Sequence, residues 1–179
     1  IRASTNVAVL GLVLHRETGD AHPGDGPNAQ KVWVNANIQI TPANDTNAVN
    51  TNHVLTITVN ALGGTIDAGP HTATASIVSG PGSFVGSPTC TYTGGGATAS
   101  CTVTITSATP GTTVVSATSD IPVNGQTITR TTNTAVNTAA GGSGNANKVW
   151  VDANIQITPA NANNPVGTNH VLTITVNAL

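Results

Sequence analysis

The chain has 179 residues, with five basic and seven acidic side chains, 38% hydrophobic residues and 2% aromatic residues. A net charge of −2 without any cluster of Lys or Arg leaves no electrostatic attraction for nucleic acid or for an anionic membrane. The longest apolar run, Val7–Leu14, is far shorter than the roughly 20 residues of a membrane-spanning helix. Thr, Val and Ile dominate and suit pleated strands, so the composition predicts an all-β protein.

A long repeat organises the chain. Residues 31–62 recur at 148–179 with identity at 27 of 32 positions, which gives a period of 117 residues. A weaker match without gaps places residues 1–16 on 115–130. The predicted parts are the C-terminal strands of a preceding repeat (1–30), a complete repeat (31–147) and the N-terminal strands of a following repeat (148–179). We expect either a window from a longer tandem array or neighbouring copies of the chain that supply the missing strands.

Within 31–147 apolar residues alternate with a period of two, and no window of eleven or more residues shows helical spacing. The alternation in the first strand places Val32, Val34, Ala36, Ile38 and Ile40 on one face. Turns rich in Gly and Pro separate seven predicted strands, at 31–40, 52–60, 72–79, 83–93, 98–106, 112–118 and 121–131. Seven short strands in a repeat of this length predict an immunoglobulin-like β-sandwich.

Four runs of the complete repeat are informative together: Ser76–Ser87 (SIVSGPGSFVGS), the cysteine pair that follows it, Cys101–Val115 and Thr129–Ala135. These runs resemble the bacterial immunoglobulin-like tandem repeats of large extracellular surface proteins, of the broad kind found in invasin and intimin stalks. The resemblance covers the 117-residue unit and implies a rod, a stalk or an adhesin. It brings no catalytic residues, and a fold does not by itself define a function.

Cys90 and Cys101 are the two cysteines of the chain, and they lie symmetrically about Gly95 and Gly96. If these glycines form a two-residue turn, the cysteines face each other across a hairpin at a distance that a disulfide accepts. We therefore predict a disulfide, worth about 2–3 kcal/mol for so short a loop. A metal or redox pair is the alternative, but it lacks CxxC spacing and a nearby His. A disulfide implies an oxidising compartment, so we expect an extracellular protein, either secreted or at the cell surface.

Trp33 and Trp150 occupy the same repeat position, two residues after the predicted linker. We expect each to pack against the preceding domain and to fix the angle between domains. The alternative is an exposed binding platform, which is less favourable because an exposed Trp in a chain with so few aromatic residues promotes non-specific association.

The segment 17–26 contains the strongest local concentration of acids, including Asp20 and Asp25. Carboxylates at a junction between repeats could bind Ca²⁺ and stiffen the joint. The corresponding junction, 131–147, has no acid, so we favour a solvated Gly/Pro linker at both places and predict no metal or other cofactor. His53 and His170 share one repeat position, which suits a structural role.

A lysine opens each copy of the repeat, and two asparagines follow the last predicted strand: Lys31, Lys148, Asn133 and Asn137. This arrangement is similar to pilin domains that are closed by Lys–Asn isopeptide bonds. The chemistry needs a buried carboxylic acid beside the pair. The available candidates, Asp67 and Asp120, lie in turn-like contexts, which is unfavourable for that role.

These features together predict a non-enzymatic structural protein: a stretch of an extracellular array that forms a surface stalk, fibre or filament, with other copies of itself as partners and no nucleic acid or membrane insertion. No HxH, HExxH, Cys/His quartet or GxSxG motif indicates an enzyme. The alternative is an adhesin that recognises a glycan or a host protein through loops 42–52 and 63–71. Differences between the two copies at positions 45, 46, 48 and 50 fall in the first of these loops.

Overall fold

The computed structural model describes residues 1–179, and strands account for nearly all of its regular structure. The chain divides into two units, Ile1–Trp33 and Val34–Leu179. The single helix is α1 (Ala135–Ala139), and no helix is long enough to cross a membrane. The strands are β1 (Ser4–Val9), β2 (Leu12–Glu17), β3 (Asn35–Thr41), β4 (Asn44–Ala48), β5 (His53–Leu62), β6 (Pro70–Ser79), β7 (Ser83–Phe84), β8 (Thr89–Thr93), β9 (Thr98–Thr106), β10 (Gly111–Val123), β11 (Gln126–Thr131), β12 (Ala146–Val151), β13 (Ala153–Thr158) and β14 (Thr173–Ala178).

The second unit contains a sandwich of two sheets. One sheet has the strand order β3-β5-β9-β7, and the other has the order β4-β12-β10-β6-β8 with β11 also paired to β10. Neighbouring strands are antiparallel except β4 and β12, which are parallel. Small aliphatic side chains from both sheets fill the core, among them Ile38, Ile57, Ile105, Val115 and Ile121. The predicted all-β sandwich is confirmed.

Several strands differ from those predicted. The predicted strand 83–93 is two strands, because Gly86-Ser87-Pro88 interrupts it, and the two pieces pair in different sheets. Strand β10 runs through Ser119-Asp120, where two separate strands were expected. The predicted loop 42–52 contains β4 at the edge of the larger sheet. Polar side chains hide β4 in the sequence, since an edge strand has little apolar alternation.

The last strand of the sandwich, β12, crosses the predicted repeat boundary between residues 147 and 148. It pairs with β10 on one side and β4 on the other, and buries Lys148 and Trp150. The run KVWV therefore closes this sandwich, whereas the sequence pattern made it the opening of the next repeat. The sequence does not show where one strand ends and the next begins, because apolar residues alternate without interruption through 31–40. In the structure, KVWV and the strand after it belong to different sheets. The set of alternate residues that faces the interior therefore changes between the two strands.

The predicted linker 131–147 is also part of the sandwich. Helix α1 lies beside β3, the edge strand of the smaller sheet. The buried Asn137 accepts a hydrogen bond from the Ile38 backbone N–H at 2.9 Å and donates one to the Ile38 carbonyl at 3.0 Å. Ser143 adds a backbone bond to Ile38 and a hydroxyl bond to the Ile40 N–H. This stretch therefore covers an edge that would otherwise be free to pair with another chain.

The first unit resembles the second half of the sandwich in its hydrogen bonding. Its β1–β2 hairpin has the same register as β10–β11 at an offset of 114 residues. Thr18 donates its backbone N–H to the Ala3 carbonyl and its hydroxyl to Asn28. Equivalent bonds in the sandwich join Thr132, Ala117 and Asn145. The weak sequence match between these regions thus has the same local structure in both places.

The C-terminal hairpin corresponds to the first hairpin of the sandwich. Strands β13 and β14 pair Ala153 with Ala178, and β3 and β5 pair Ala36 with Ala61, at an offset of 117 residues. Both hairpins have a cis proline after the first strand, Pro42 and Pro159. Between Ala36 and Ala153 the chain therefore passes through one complete structural period.

Candidate functional site: the closing strand and its buried lysine

Strand β12 places Trp150 in the core, with 1% of its surface exposed. The indole N–H donates a hydrogen bond to the Thr113 hydroxyl on β10 at 3.0 Å, so its polar atom is satisfied. This position differs from the interdomain packing predicted for this tryptophan, because β12 belongs to the sandwich itself. Trp33, the equivalent residue before the sandwich, is 82% exposed.

Lys148 lies on the same inward face of β12 and is also buried. Its ammonium group is 5.5 Å from the centre of the Trp150 ring, a cation–π distance. It donates a hydrogen bond to the Asn47 side-chain oxygen at 2.5 Å, and it is 3.1 Å from the Asp45 carboxylate. A buried lysine requires partners of this kind, since an unpaired charge in the interior is strongly unfavourable. In the larger sheet, β4 and β12 are therefore joined through polar side chains as well as backbone bonds.

Asp45 connects the lysine to a histidine. Its Oδ2 atom is 3.1 Å from Lys148 Nζ and 3.3 Å from Nδ1 of the largely buried His53. The hydrogen bond from Lys148 and the backbone N–H of Thr46 lower the pKa of the Asp45 carboxyl. Burial lowers the pKa of His53, and the positive charge of Lys148 acts in the same direction. Near neutral pH the cluster therefore contains an ionised Asp45 and a neutral His53.

The residues predicted to support an isopeptide bond do not meet Lys148. Asn137 is engaged with the backbone of β3, and Asn133 lies in the turn before α1. Asp67 accepts hydrogen bonds from the Gly125 N–H, and Asp120 accepts one from Thr129. The structure brings Asn47 and Asp45 to the lysine in their place, both from β4, which the sequence pattern did not reveal.

Cys90 and Cys101 form a disulfide, with their Cα atoms 5.7 Å apart. They do not face each other across a hairpin, as the sequence symmetry suggested, because β8 pairs with β6 in one sheet and β9 pairs with β5 in the other. The glycine run between them bonds elsewhere: the N–H groups of Gly94 and Gly95 donate to the carbonyls of Gly69 and Ile66. The disulfide therefore links the two sheets of the sandwich.

Asp20 and Asp25 lie in the loop between Thr18 and Asn28, which corresponds to the helix-containing loop of the complete sandwich. The loop is thus the counterpart of a segment inside a domain, whereas a joint between domains was predicted. Asp20 accepts a hydrogen bond from the His22 N–H, and Asp25 lies 3.9 Å from the His22 ring. No group of three or more His, Cys, Asp or Glu side chains is arranged to hold a metal ion.

The loops assigned to ligand binding in the adhesin alternative have structural contacts. Residues 42–52 contain β4, and the Asp45 difference between the copies falls in the lysine cluster. In loop 63–71, Ile66 is buried and His71 contacts the Asp67 carbonyl through a ring nitrogen at 2.8 Å.

One sequence signal could have found this site. Lys148 alternates with Ala146 and Trp150, so a strand that buries the tryptophan must also bury the lysine. Lysine is almost never fully buried without a partner, so its presence on an apolar face predicts an acceptor nearby. The identity of that acceptor depends on the parallel pairing of β4 and β12, which joins residues about 100 positions apart.

Comparison with known proteins shows similarity at the level of structure. No family model matches the chain, and no curated protein matches it. Among solved structures, the chain is similar to the D00-D0 domain of Intimin, with 19% sequence identity and a TM-score of 0.34. The similarity covers 72% of this chain and 60% of that chain, so the chain spans less than two thirds of the Intimin structure.

Proposed function

We propose that the chain is a non-enzymatic segment of an extracellular tandem array of immunoglobulin-like sandwiches, which forms a bacterial surface stalk or filament. One observation carries the proposal. The strand that closes the sandwich, β12, ends at Val151. The next strand, β13, is the copy of the first strand of the sandwich, β3, and it begins at Ala153. The chain therefore leaves one domain and starts the strands of the next within a single residue, Asp152.

This connection favours a stiff array. A rod made of domains joined by Gly/Ser-rich linkers bends freely, whereas one connecting residue leaves few backbone torsions to vary. The Gly-rich segment 140–145 is inside the sandwich, where it follows α1 and leads into β12. The proposed structural repeat thus runs from about 35 to 151, with the same period of 117 residues as the sequence repeat.

The disulfide supports the proposed location. Cys90 and Cys101 are both bonded, and the chain has no free cysteine. Disulfides of this structural kind persist in oxidising environments such as the cell exterior. Small aliphatic residues form most of the core, so a covalent link between the two sheets adds resistance to unfolding that aromatic packing supplies in other sandwiches.

The array is tested by measuring length against copy number. One, two and three tandem copies of residues 35–151, joined directly, should increase in maximum dimension by about 35–45 Å per copy in solution scattering, the length of a sandwich strand plus its loops. The matched control inserts a flexible Gly/Ser linker after Val151 and should lose this regular extension. Direct copies that collapse or bend as freely as the control would contradict the proposal.

The domain boundary has its own matched comparison. Residues 35–151 and residues 31–147 have equal length and identical composition, because they differ only in which end carries KVWV. The first should unfold cooperatively as a stable monomer, since it contains β12 with Lys148 and Trp150. The second lacks most of that strand and should be destabilised. Equal stability of the two would place the boundary elsewhere.

Strand exchange between copies of the chain is the second arrangement. The face formed by Ile155, Ile157, Ile174 and Val176 is exposed, whereas the equivalent residues of the sandwich are buried. Further strands of the same protein or of another copy would cover it. Light scattering distinguishes the two arrangements. If the full chain associates while residues 35–151 alone stay monomeric, strand exchange is favoured. If both are monomeric, the array within one chain is favoured.

A further inference from the structure

We propose that Arg130 is the positioning residue of the joint between sandwiches. It fixes Asn35, the residue at which the first strand begins, and an equivalent arginine of the following sandwich fixes Asp152. The inference rests on the proposed array, because Asp152 connects two sandwiches only if the strands after it belong to a second one. It assigns the stiffness of each joint to one arginine, and it makes the joint at Asp152 dependent on salt.

Arg130 bonds the start of the first strand. It lies on β11 opposite Ser119, which belongs to the larger sheet. Its Nε donates a hydrogen bond to the carbonyl of the fully buried Ala36 on β3 at 2.8 Å, and its Nη2 donates to the side-chain oxygen of Asn35. The arginine thus ties the first strand of the smaller sheet to the larger sheet at the point where the chain enters the sandwich.

The geometry of the contact requires an arginine. The third nitrogen of Arg130, Nη1, donates to the carbonyl of Thr129 at 2.8 Å. The planar group is therefore fixed by its own strand while the other two nitrogens reach β3. A lysine carries its charge on a single nitrogen at the end of a flexible stem and cannot reproduce this fixed set of donors. The contact depends on the shape of the group as well as on its charge.

Asn35 is also held by its neighbours in the smaller sheet. Its side-chain oxygen accepts a hydrogen bond from the Ala36 N–H at 2.8 Å, and its backbone pairs with Leu62 on β5. The ends of strands and other chain segments with few contacts ordinarily fray. With its side chain and its backbone both bonded, the first residue after the joint is protected from fraying, so the joint stays one residue long.

The arginine recurs in the N-terminal unit. Arg16 is the equivalent of Arg130 at the offset of 114 residues, and it lies on β2, the counterpart of β11. Its Nη1 donates to the carbonyl of the preceding residue, His15, at 2.7 Å, as Arg130 does to Thr129. The hairpin alone therefore orients the guanidinium group. We expect the following sandwich to carry an arginine at the same position.

The joint residue recurs as Asp152, which is the one difference between the two copies outside positions 45–50. Its carboxylate accepts a hydrogen bond from the Ala153 N–H at 2.8 Å. Asn35 accepts the equivalent bond from Ala36 at 2.8 Å, so both acceptors have the same local arrangement. A carboxylate in place of the amide turns the contact with arginine into an ion pair. Such a pair is stronger at low salt and is screened at high salt when it is near the surface.

Amide exchange in the full chain tests the contact at Asn35. Arg130→Gln should speed exchange of the Ala36 N–H by about tenfold, because the strand end then frays, while the Ile57 N–H in the core keeps its rate. Arg130→Lys should have the same effect, which separates the planar group from its charge. Arg16→Gln is the matched control and should change neither rate. An unchanged rate at Ala36 overturns the proposal, and so does an equal rise at Ile57, which would show that the arginine stabilises the whole sandwich.

A second sandwich tests the joint at Asp152. Adding residues 63–151 directly after Leu179 completes the sandwich that begins after Asp152, because Leu179 is the repeat equivalent of Leu62. Solution scattering measures the maximum dimension of this extended chain. It should shorten toward that of a counterpart with a Gly/Ser linker at the joint when NaCl is raised to about 0.5 M. Asp152→Asn should remove this dependence on salt and keep the extension, because it reproduces the amide at Asn35.

A variant of the added segment separates the two proposals. Arg130→Gln in the added segment should shorten the extended chain toward the linker counterpart at low salt, whereas Arg16→Gln should leave its dimension unchanged. An extended chain that is as flexible as its linker counterpart contradicts the array, and the role of the arginine at the joint falls with it. A stiff chain that responds neither to salt nor to Arg130→Gln overturns this inference alone and leaves the array in place.

Discussion

The same sequence occurs in this chain inside a complete sandwich and again outside it, and the two settings differ in burial. Ile38 is fully buried between the sheets, whereas its repeat equivalent Ile155 is 71% exposed. Trp150 and Trp33 show the same contrast. Yet the hairpins keep their strand register in both places. Local sequence is therefore sufficient for the hairpins, while the core depends on strands β6 to β10 from the middle of the repeat.

This contrast makes the repeat pairs useful as matched experiments. A substitution at one member of a pair removes a buried contact, and the same substitution at the other member changes only an exposed surface. Differences in intrinsic strand propensity cancel, because the residue types and their immediate neighbours are nearly identical.

The largest difference is expected for the tryptophans. Trp150→Ala should lower the free energy of unfolding by about 3–5 kcal/mol, because it leaves a large cavity and removes the partner of the Thr113 hydroxyl. Trp33→Ala should change it by less than about 0.5 kcal/mol. Urea unfolding of the full chain followed by far-ultraviolet circular dichroism measures both. Equal effects would show that Trp33 is buried in solution, for example by another copy of the chain.

A smaller effect should follow from uncovering the edge of the smaller sheet. Asn137→Ala removes both side-chain bonds to the Ile38 backbone; the carbonyl keeps the Ser143 N–H, but the Ile38 N–H loses its partner, which should cost about 1–3 kcal/mol. Val136→Ala lies on the same helical turn with its side chain exposed, and should change stability by less than about 0.5 kcal/mol. Urea unfolding provides the comparison, and faster amide exchange at Ile38 should accompany the loss. A loss as large in Val136→Ala would mean that the helix, and not the asparagine, protects the edge.

The fold class could be predicted from the sequence because the core strands alternate clearly. Strands such as β5 and β9 carry apolar residues on one face and threonine on the other, and both occur where the pattern places them. The pairing of the two cysteines could also be predicted from the sequence. The geometry of the disulfide could not be predicted, since short-range symmetry about two glycines cannot show that the strands on either side belong to different sheets.

The candidate site was hidden for a different reason. Strand β4 reads NDTNA, without an apolar residue before its last position, so nothing in its pattern predicts a strand. The meeting of Lys148 with Asn47 depends on long-range parallel pairing of that strand, which periodicity does not report. The course of β12 across residues 147 and 148 was hidden for a related reason, because the apolar alternation of KVWV continues without a break into the next strand.

The smallest expected difference concerns the histidines that share one repeat position, His53 and His170. Burial lowers the pKa of His53 below its usual value of 6.5, so the unfolded chain takes up a proton at a higher pH than the folded chain does. This contribution to stability is complete above about pH 6.5 and is lost as the pH falls toward the lower folded value, at a slope of at most about 1.4 kcal/mol per pH unit.

His53→Gln should therefore flatten the pH dependence of unfolding between pH 7 and 5, and His170→Gln, at the exposed copy of the position, is the matched variant for comparison. Asp45 stays ionised over this range, since its own pKa is lowered from 3.8 by the hydrogen bond from Lys148. Urea unfolding at several pH values measures the slopes. A slope that steepens on acidification in His53→Gln would mean that the ion pair with Asp45, and not burial, determines how this histidine responds to pH.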